Sequence, residues 1–477
     1  MKIVGTIRSK RIPIAAGVAA LGIALAILSG WYKLFRVEPD ISRSAEEQFK
    51  YGSIGTEAAN GLPYWIWLVL PRMFPEYLPG PGGYLSLGVA GEEGHEMPIG
   101  FTRKTIGFPR VGINCALCHT ATFRTRVDEK PTIVLGGPAH QFDAQRYLRF
   151  LFDCANDPRF NSANVLAQIR PIHQLSFLDT ELYRFLIIPQ TRKALLQQRA
   201  ANEWWNDRPK WGRGRIDPFN PVKFGTLKLP IDNTIGNSDM APIWNLRAHA
   251  GDAYHWDGLN TVLRDVFLSS AIGDGATEQS VNLKGLAKIR RWLMNLPPPK
   301  YPFPIDQTSA ARGRRSFNDR CASCHDPGQG RTGKVIPIDE IGTDRHRLDM
   351  WTKRAAATYN KFAKDYPWRF RGFRKTNGYV AVPLDGLWLR APYLHNGSVP
   401  SLRDLLEPPP LRPKLFYRGY DVYDPEKVGF QSQGPDAVRE GSRYDTSLPG
   451  NGNFGHAYGT DLPPQEKADL VEYLKTF

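Results

Sequence analysis

The chain has 477 residues, 42% hydrophobic and 23% charged, which is ordinary globular usage and length enough for two or three domains. Its formal charge of +15 suits an anionic lipid surface or an acidic electron-transfer partner; the Arg and Lys residues are scattered, no nucleic-acid module is visible, and no nucleic-acid partner is expected. Four of the five Cys fall in two short motifs, which excludes a structural disulfide framework.

Residues 1–11 form a basic flank with Lys2, Arg8, Lys10 and Arg11 and no acid. Residues 12–32 then run apolar without a charge, about the 20 residues that cross a bilayer as a helix. Trp31-Tyr32 at its end suits an interface, so the stretch is predicted to be a retained anchor in the inner membrane. The rival is a cleaved or uncleaved signal, for which Leu28-Ser-Gly30 is a weak cleavage site. Either reading exports the rest of the chain to a bacterial periplasm. Residues 33–94 read as a juxtamembrane and loop-rich segment, dense in Pro, Gly and aromatics over 61–90.

A first haem domain is expected over residues 95–296. Cys115-Ala-Leu-Cys118-His119 is the attachment signature of a c-type haem. Two thiols add to the two vinyl groups of one porphyrin, and the adjacent His ligates the iron from the proximal side. A zinc site on the Cys pairs leaves the following His unexplained. His95, Met97, His140 and His173 read as structural, and Cys154 as a buried inert thiol. Phe142, Tyr147, Leu148, Phe150 and Leu151 give Gln141–Phe152 the pattern of an amphipathic helix. In Ala253-Tyr-His255-Trp256-Asp257-Gly258, Trp256 reads as a core anchor or as an electron relay.

Residues 297–304 are a Pro-rich linker, and 305–477 a C-terminal cytochrome c domain. Cys321-Ala-Ser-Cys324-His325 repeats the haem signature, so two covalently attached haem c groups are expected. Thr308–Arg320 reads as a helix capped by Thr308 or Ser309, with Gly313 leaving room for another helix. Residues 463–477 carry the apolar spacing of the helix that packs there. His456 lies in a glycine-rich loop able to approach a porphyrin, and His346 reads as a surface residue. The fold class is mainly α: two cytochrome-c-like helical haem domains with long ordered loops, plus an N-terminal transmembrane helix.

Several segments together carry a family resemblance. Asn245-Leu246 ahead of His255-Trp-Asp-Gly258, the second haem motif after a Pro-rich linker, and Arg390-Ala-Pro-Tyr-Leu-His395-Asn-Gly-Ser398 resemble the bacterial di-haem cytochrome c peroxidases. That superfamily also holds the enzyme that matures methylamine dehydrogenase. Gly212-Arg-Gly-Arg-Ile-Asp-Pro-Phe-Asn220 and Gly450-Asn-Gly-Asn-Phe-Gly-His456 look closer to the di-haem rubber-oxygenase branch. The resemblance covers roughly residues 95–477. It implies one helical domain per haem, with Trp256 between them. It departs at Leu259, where peroxidases have Arg, and at Glu278-Gln279, which does not align with their distal pair. It departs again at Pro408-Pro-Pro410, where they have a ligating Met. His395 and His456 compete for the sixth position on the second iron; the rubber-oxygenase branch uses a His near its C-terminus, which here points to His456, with His395 beside that haem.

The expectation is an exported oxidoreductase with unequal haems. The second, held by Cys321, Cys324, His325 and His456, stores or relays electrons. The first, held by Cys115, Cys118 and His119, offers an open face to peroxide or dioxygen. His255 is the leading distal base, Glu278 the next, and Trp256 the path between haems; alternatively His255 ligates the first iron and closes it. A peroxidase-like activity leads, with an oxygenase of a hydrophobic substrate and a plain electron-transfer cytochrome as rivals. The reductant is expected to be a small redox protein or a quinol-linked chain.

Overall fold

The computed structural model describes residues 11–39 and 43–477, so Lys2, Arg8 and Lys10 of the basic flank lie outside the described residues. The expected mainly helical fold needs correction. The chain is 42% helix and 11% strand, and among the described residues the strands form six small antiparallel sheets of two or three strands. The strands escape a search for alternation because polar residues are buried among them. In the hairpin Phe101–Ile106 and Phe108–Ile113, which turns at Gly107, Thr102 is fully buried. Its hydroxyl bonds the equally buried Glu57.

The transmembrane expectation for residues 12–32 is also overturned. Residues Arg11–Phe35 are helical, yet among the described residues no helix is long and apolar enough to cross a membrane. Ala, Gly and Ser supply nearly half of residues 12–32. Their small side chains carry little of the transfer free energy a spanning helix needs. The segment after the helix meets the body where Val37 bridges Ile106 and the Glu38 amide donates to the Thr105 carbonyl.

Three large apolar clusters make the core. One gathers Trp67, Tyr84, Phe101, Tyr147 and Phe150. Its helix Ala144–Asn156 begins three residues later than its apolar pattern, because Asp143 is the cap and accepts from the Arg146 amide. A second cluster packs Phe49 and Ala116 with Phe219, Trp351 and Tyr359. A third packs Ala121, Phe123 and Trp244 with Phe317, Trp388 and Leu470. The last two draw residues from both sides of the Pro-rich segment 297–304.

The helix Gln307–Arg320 is capped by Asp306, which accepts from the amides of Thr308 and Ser309; the cap thus lies before the residues expected for it. That side chain satisfies two otherwise orphaned donors and is worth about 1 kcal/mol. The helix crosses Pro464–Leu474 at Gly313, where a Cβ would lie 1.9 Å from the Asp469 carbonyl oxygen. Arg312 locks the crossing with a bidentate pair to Asp469, both contacts at 2.7 Å.

Candidate haem sites

The two Cys-x-x-Cys-His motifs sit in different local structures. The second follows directly from the helix Gln307–Arg320 and makes one short turn, Ala322–His325. The first lies between strands: Phe108–Ile113 leads in, Cys115–Leu117 makes a single tight turn, and Thr120–Phe123 leads out. Asn114 shapes that turn by accepting from the Ala116 amide and donating to the Gly52 carbonyl. Gly100, at φ +91°, lets the preceding loop close on Leu117; a Cβ there would lie 2.4 Å from Leu117 backbone.

All five thiols are free. Burial pushes the Cys115 thiol up to about 12 and raises Cys118, with Asp274 adding in the same direction. Burial likewise lifts Cys321 to about 12. Asp274, which sequence reading passed over, ends the helix Leu263–Gly273, and burial raises its carboxyl to about 7.

Each motif histidine is oriented by a backbone carbonyl. His119 Nδ1 donates to the Ala241 oxygen at 2.7 Å, and His325 Nδ1 to the Val382 oxygen at 3.0 Å. A carbonyl only accepts, so both rings carry their proton on Nδ1 and turn a bare Nε2 outward. That is the tautomer of a metal-ligating imidazole, whose other ring nitrogen is held by a backbone carbonyl. Burial also holds both rings neutral, His119 down at about 4.

His456 faces His325 with ring centres 6.2 Å apart and planes at 51°. Two imidazoles on opposite sides of one metal, each bound at about 2 Å, hold their centres about 6 Å apart. Burial first, then His325 and Arg412, lower His456 to about 3, so the ring is held neutral. Its loop is tightly held. The buried Arg412 donates to the carbonyls of Asn453, Gly455 and His456 at 2.7, 2.8 and 3.1 Å. Asn396 donates to those of Gly450 and Gly452 at 3.2 and 2.9 Å. The Pro-Tyr-Leu-His-Asn motif thus positions the loop that carries His456. His395 itself stacks on Tyr379 at 4.0 Å with a buried, unpartnered Nε2, and its ring makes no contact with His325 among the described residues.

Around the first motif, His255 adopts φ +64° and presses edge-on against Phe219 at 5.2 Å. Its Nε2 is buried without a partner. Burial, then Arg347, then His119 lower it to about 3, which places it within the electrostatic reach of His119. Arg347 was not foreseen. It is buried with Asp257, pairing at 3.2 and 3.3 Å, and its guanidinium lies 5.2 Å from the Phe219 ring centre. The only sequence signal was Leu259, which leaves Asp257 without the neighbouring Arg of the related motif. Trp256 is half-buried and donates Nε1 to the Asp239 carbonyl at 2.8 Å. Glu278 lies apart, in a turn that Ser280 fastens to the Gly55 carbonyl; among the described residues no hydrogen bond or ion pair ties it to His119 or His255.

These residues fit haem c. Two thiols and one correctly protonated imidazole come together in each motif, and the second has an opposed imidazole at the separation a shared iron requires.

The family described as RoxA-like, cytochrome c-like matches residues 378–417, a segment that includes Tyr379, His395 and Arg412. Uncharacterized protein y4iJ of Sinorhizobium fredii (strain NBRC 101917 / NGR234) is 31% identical over 470 aligned residues, spanning 77% of this chain and 76% of that protein. Uncharacterized protein y4iM of the same organism is 30% identical over 283 residues, 50% of this chain and 64% of that protein.

Proposed function

The chain belongs to the family of the Sinorhizobium fredii protein y4iJ and carries a RoxA-like, cytochrome c-like segment, and from that premise we propose that it is a di-haem oxidoreductase of the oxygenase kind. A cytochrome c domain implies haem c, and with it export, because covalent haem attachment happens outside the cytoplasm. Two groups are proposed here, one on Cys115, Cys118 and His119, the other on Cys321, Cys324 and His325.

The observation that carries the reading is an asymmetry. His456 stands opposite His325 at the spacing of a shared iron. His255 shares a buried region with His119 but spends its close ring contact on Phe219. The second site is therefore closed and suited to holding an electron, while the first keeps a face for a small oxidant. When bound, the first haem supplies the reactive iron for dioxygen. His119 orients it from the proximal side. His255 offers a neutral Nε2 as proton acceptor or hydrogen-bond partner, and the Phe219 ring beside it helps exclude water. Asp257 and Arg347 fix the backbone around His255 by their buried pair.

Peroxide is the second candidate oxidant, because a neutral, unpartnered imidazole is the group that would move a proton between its oxygens. The proposed reductant is a small acidic redox protein or a quinol-linked chain, on the strength of the +15 formal charge. Carbon monoxide difference spectra test the asymmetry: one haem per chain binds the gas and the other does not. Two unreactive low-spin haems would leave only an electron carrier. Oxygen uptake with polyisoprenoid, set against peroxide turnover with a reduced donor, separates the two oxidants.

A further inference from the structure

Nearly half of the formal charge of +15 sits in one short stretch: residues 353–375 carry eight Lys and Arg against Asp365 alone, a net +7. A charged run on a solvated face is ordinary when its signs alternate, but this one has a single sign. Lys353 and Arg354 are exposed at the start of the helix Lys353–Lys361, the end where the helix dipole least favours cations. Lys361 ends that helix and Lys364 lies in the turn beyond, both exposed. Arg369, Arg371 and Arg374 are exposed on the loop that returns. Among the described residues none of these seven cations makes an ion pair. Two nearby acids are engaged elsewhere: Asp349 with Arg345 at 2.9 Å and Asp265 with Arg264 at 3.0 Å.

The charges stand on a fixed base. Thr352 caps the helix by accepting from the Ala355 amide. Beneath the loop the Tyr359 ring meets Phe370 at 4.6 Å and Phe373 at 4.5 Å. The Asn360 side chain donates to the Phe373 carbonyl at 2.7 Å and accepts from the Phe373 amide at 3.1 Å. The buried Asp265 accepts from the amides of Arg371 and Gly372 at 2.8 and 3.1 Å. Arg374 ties the lobe to the segment that carries His255. Its amide donates to the Leu259 carbonyl at 2.8 Å, and its Nε to that of Gly258 at 3.0 Å. Tyr359 packs on Trp351, Trp351 on Phe219 and Phe219 on His255, with ring centres 6.0, 5.0 and 5.2 Å apart. The basic lobe therefore backs onto the region that His255 shares with His119.

We propose that residues 353–374 form the docking surface for a small acidic protein that donates electrons to this chain. This rests on the di-haem oxidoreductase reading given above and says where the donor meets the molecule. One electron passes from the reduced donor to a ferric iron of this chain; the donor is oxidised, the iron is reduced, and no bond breaks. Crowded like charges repel one another and weaken the fold. Carboxylates on a partner relieve that repulsion, and the Arg side chains offer them planar, bidentate donors. The chemistry fits a protein better than a lipid surface. No large apolar side chain is exposed over 351–377 among the described residues, so none is placed to enter an acyl layer. A polar contact that charge brings together and that parts quickly is what repeated electron delivery needs.

The test follows reduction of the full-length, haem-loaded protein by reduced plant-type ferredoxin, a small acidic one-electron donor, by stopped-flow absorbance at low and high salt. One variant reverses the lobe with Lys361→Glu, Lys364→Glu, Arg369→Glu and Arg371→Glu; Gln at the same four positions serves if that protein does not fold. A control of equal net charge reverses four exposed cations elsewhere, with Lys193→Glu, Lys284→Glu, Arg314→Glu and Arg315→Glu. The parent rate constant is expected to fall at least about tenfold from low to high salt, and reversal of the lobe to slow it at least about tenfold at low salt. The control is expected to slow it less than about threefold. Equal slowing in the lobe and control variants overturns the docking surface and leaves the di-haem reading intact. So does an unchanged ferredoxin rate in the lobe variant together with loss of binding to phosphatidylglycerol vesicles, which would make a lipid surface the occupant. Fewer than two dithionite-reducible haems per chain in the parent protein overturns the di-haem reading and the docking surface with it.

Discussion

His456 stands across from His325, 6.2 Å away between ring centres, although 130 residues separate them in the chain (456 minus 325, less one). Five hydrogen bonds from Arg412 and Asn396 to carbonyls of residues 450–456 fix the loop that carries His456, and the separation of the two rings suits a shared iron.

Removing the far ligand should open the second site. The low-spin signal of one haem is expected to disappear from the electron paramagnetic resonance spectrum of His456→Ala and to be replaced by a high-spin one. Carbon monoxide binding should rise from one to two per chain. An unchanged low-spin signal would assign the ligand elsewhere, with His395 the next residue to test.

The buried pair of Asp257 and Arg347 should be costly to break from one side. Arg347→Met leaves a carboxylate buried without its partner, and a loss of about 3–5 kcal/mol in urea unfolding is expected. The double variant Asp257→Asn with Arg347→Met should lose clearly less than the sum of the single losses. Simple additivity would mean that the two do not interact.

Stability should fall with acid, in part through His140. Burial holds this imidazole at about 3, against 6.5 for the free group. Between those values the unfolded chain binds a proton that the fold refuses. The contribution is therefore complete above pH 6.5 and declines as the pH drops, by about 1.4 kcal/mol per unit. His140→Gln should shrink the difference in unfolding free energy between pH 7 and pH 5 by up to about 2 kcal/mol. An equal difference in both proteins counts against a neutral buried His140.

At Gly313 two effects oppose each other. Alanine gains about 1 kcal/mol of helix propensity. It also places a methyl group 1.9 Å from the Asp469 carbonyl, where neither backbone can yield cheaply. Overpacking of this kind costs about 1–3 kcal/mol, so Gly313→Ala is expected to lower the melting temperature. A rise would mean that the helices separate freely at their crossing.

The two haem signatures were legible because their chemistry is local: thiols and imidazole must sit within one turn of chain to grip one porphyrin. The crossing at Gly313 was legible for a similar reason, since a missing Cβ on an otherwise regular helix marks a close approach. The hairpin around Gly107 was not, because Thr102 and Glu57 satisfy each other inside the core and erase the alternation of polar and apolar residues. The apolar run at 12–32 was misread in the other direction, since an absence of charge is not the same as apolarity when nearly half the residues are Ala, Gly or Ser.

By itself, then, the sequence singled out two Cys-x-x-Cys-His motifs as candidate haem attachment sites, for the chemistry of such a motif lies within five adjacent residues. The family resemblance pointed to His456, but how near it stands to His325 was decided only by the tertiary structure. His456 and Arg347 reach their places through carbonyls and buried ion pairs contributed by distant segments. A bond between a side chain and someone else's backbone leaves no trace in the identity of the residue that accepts it.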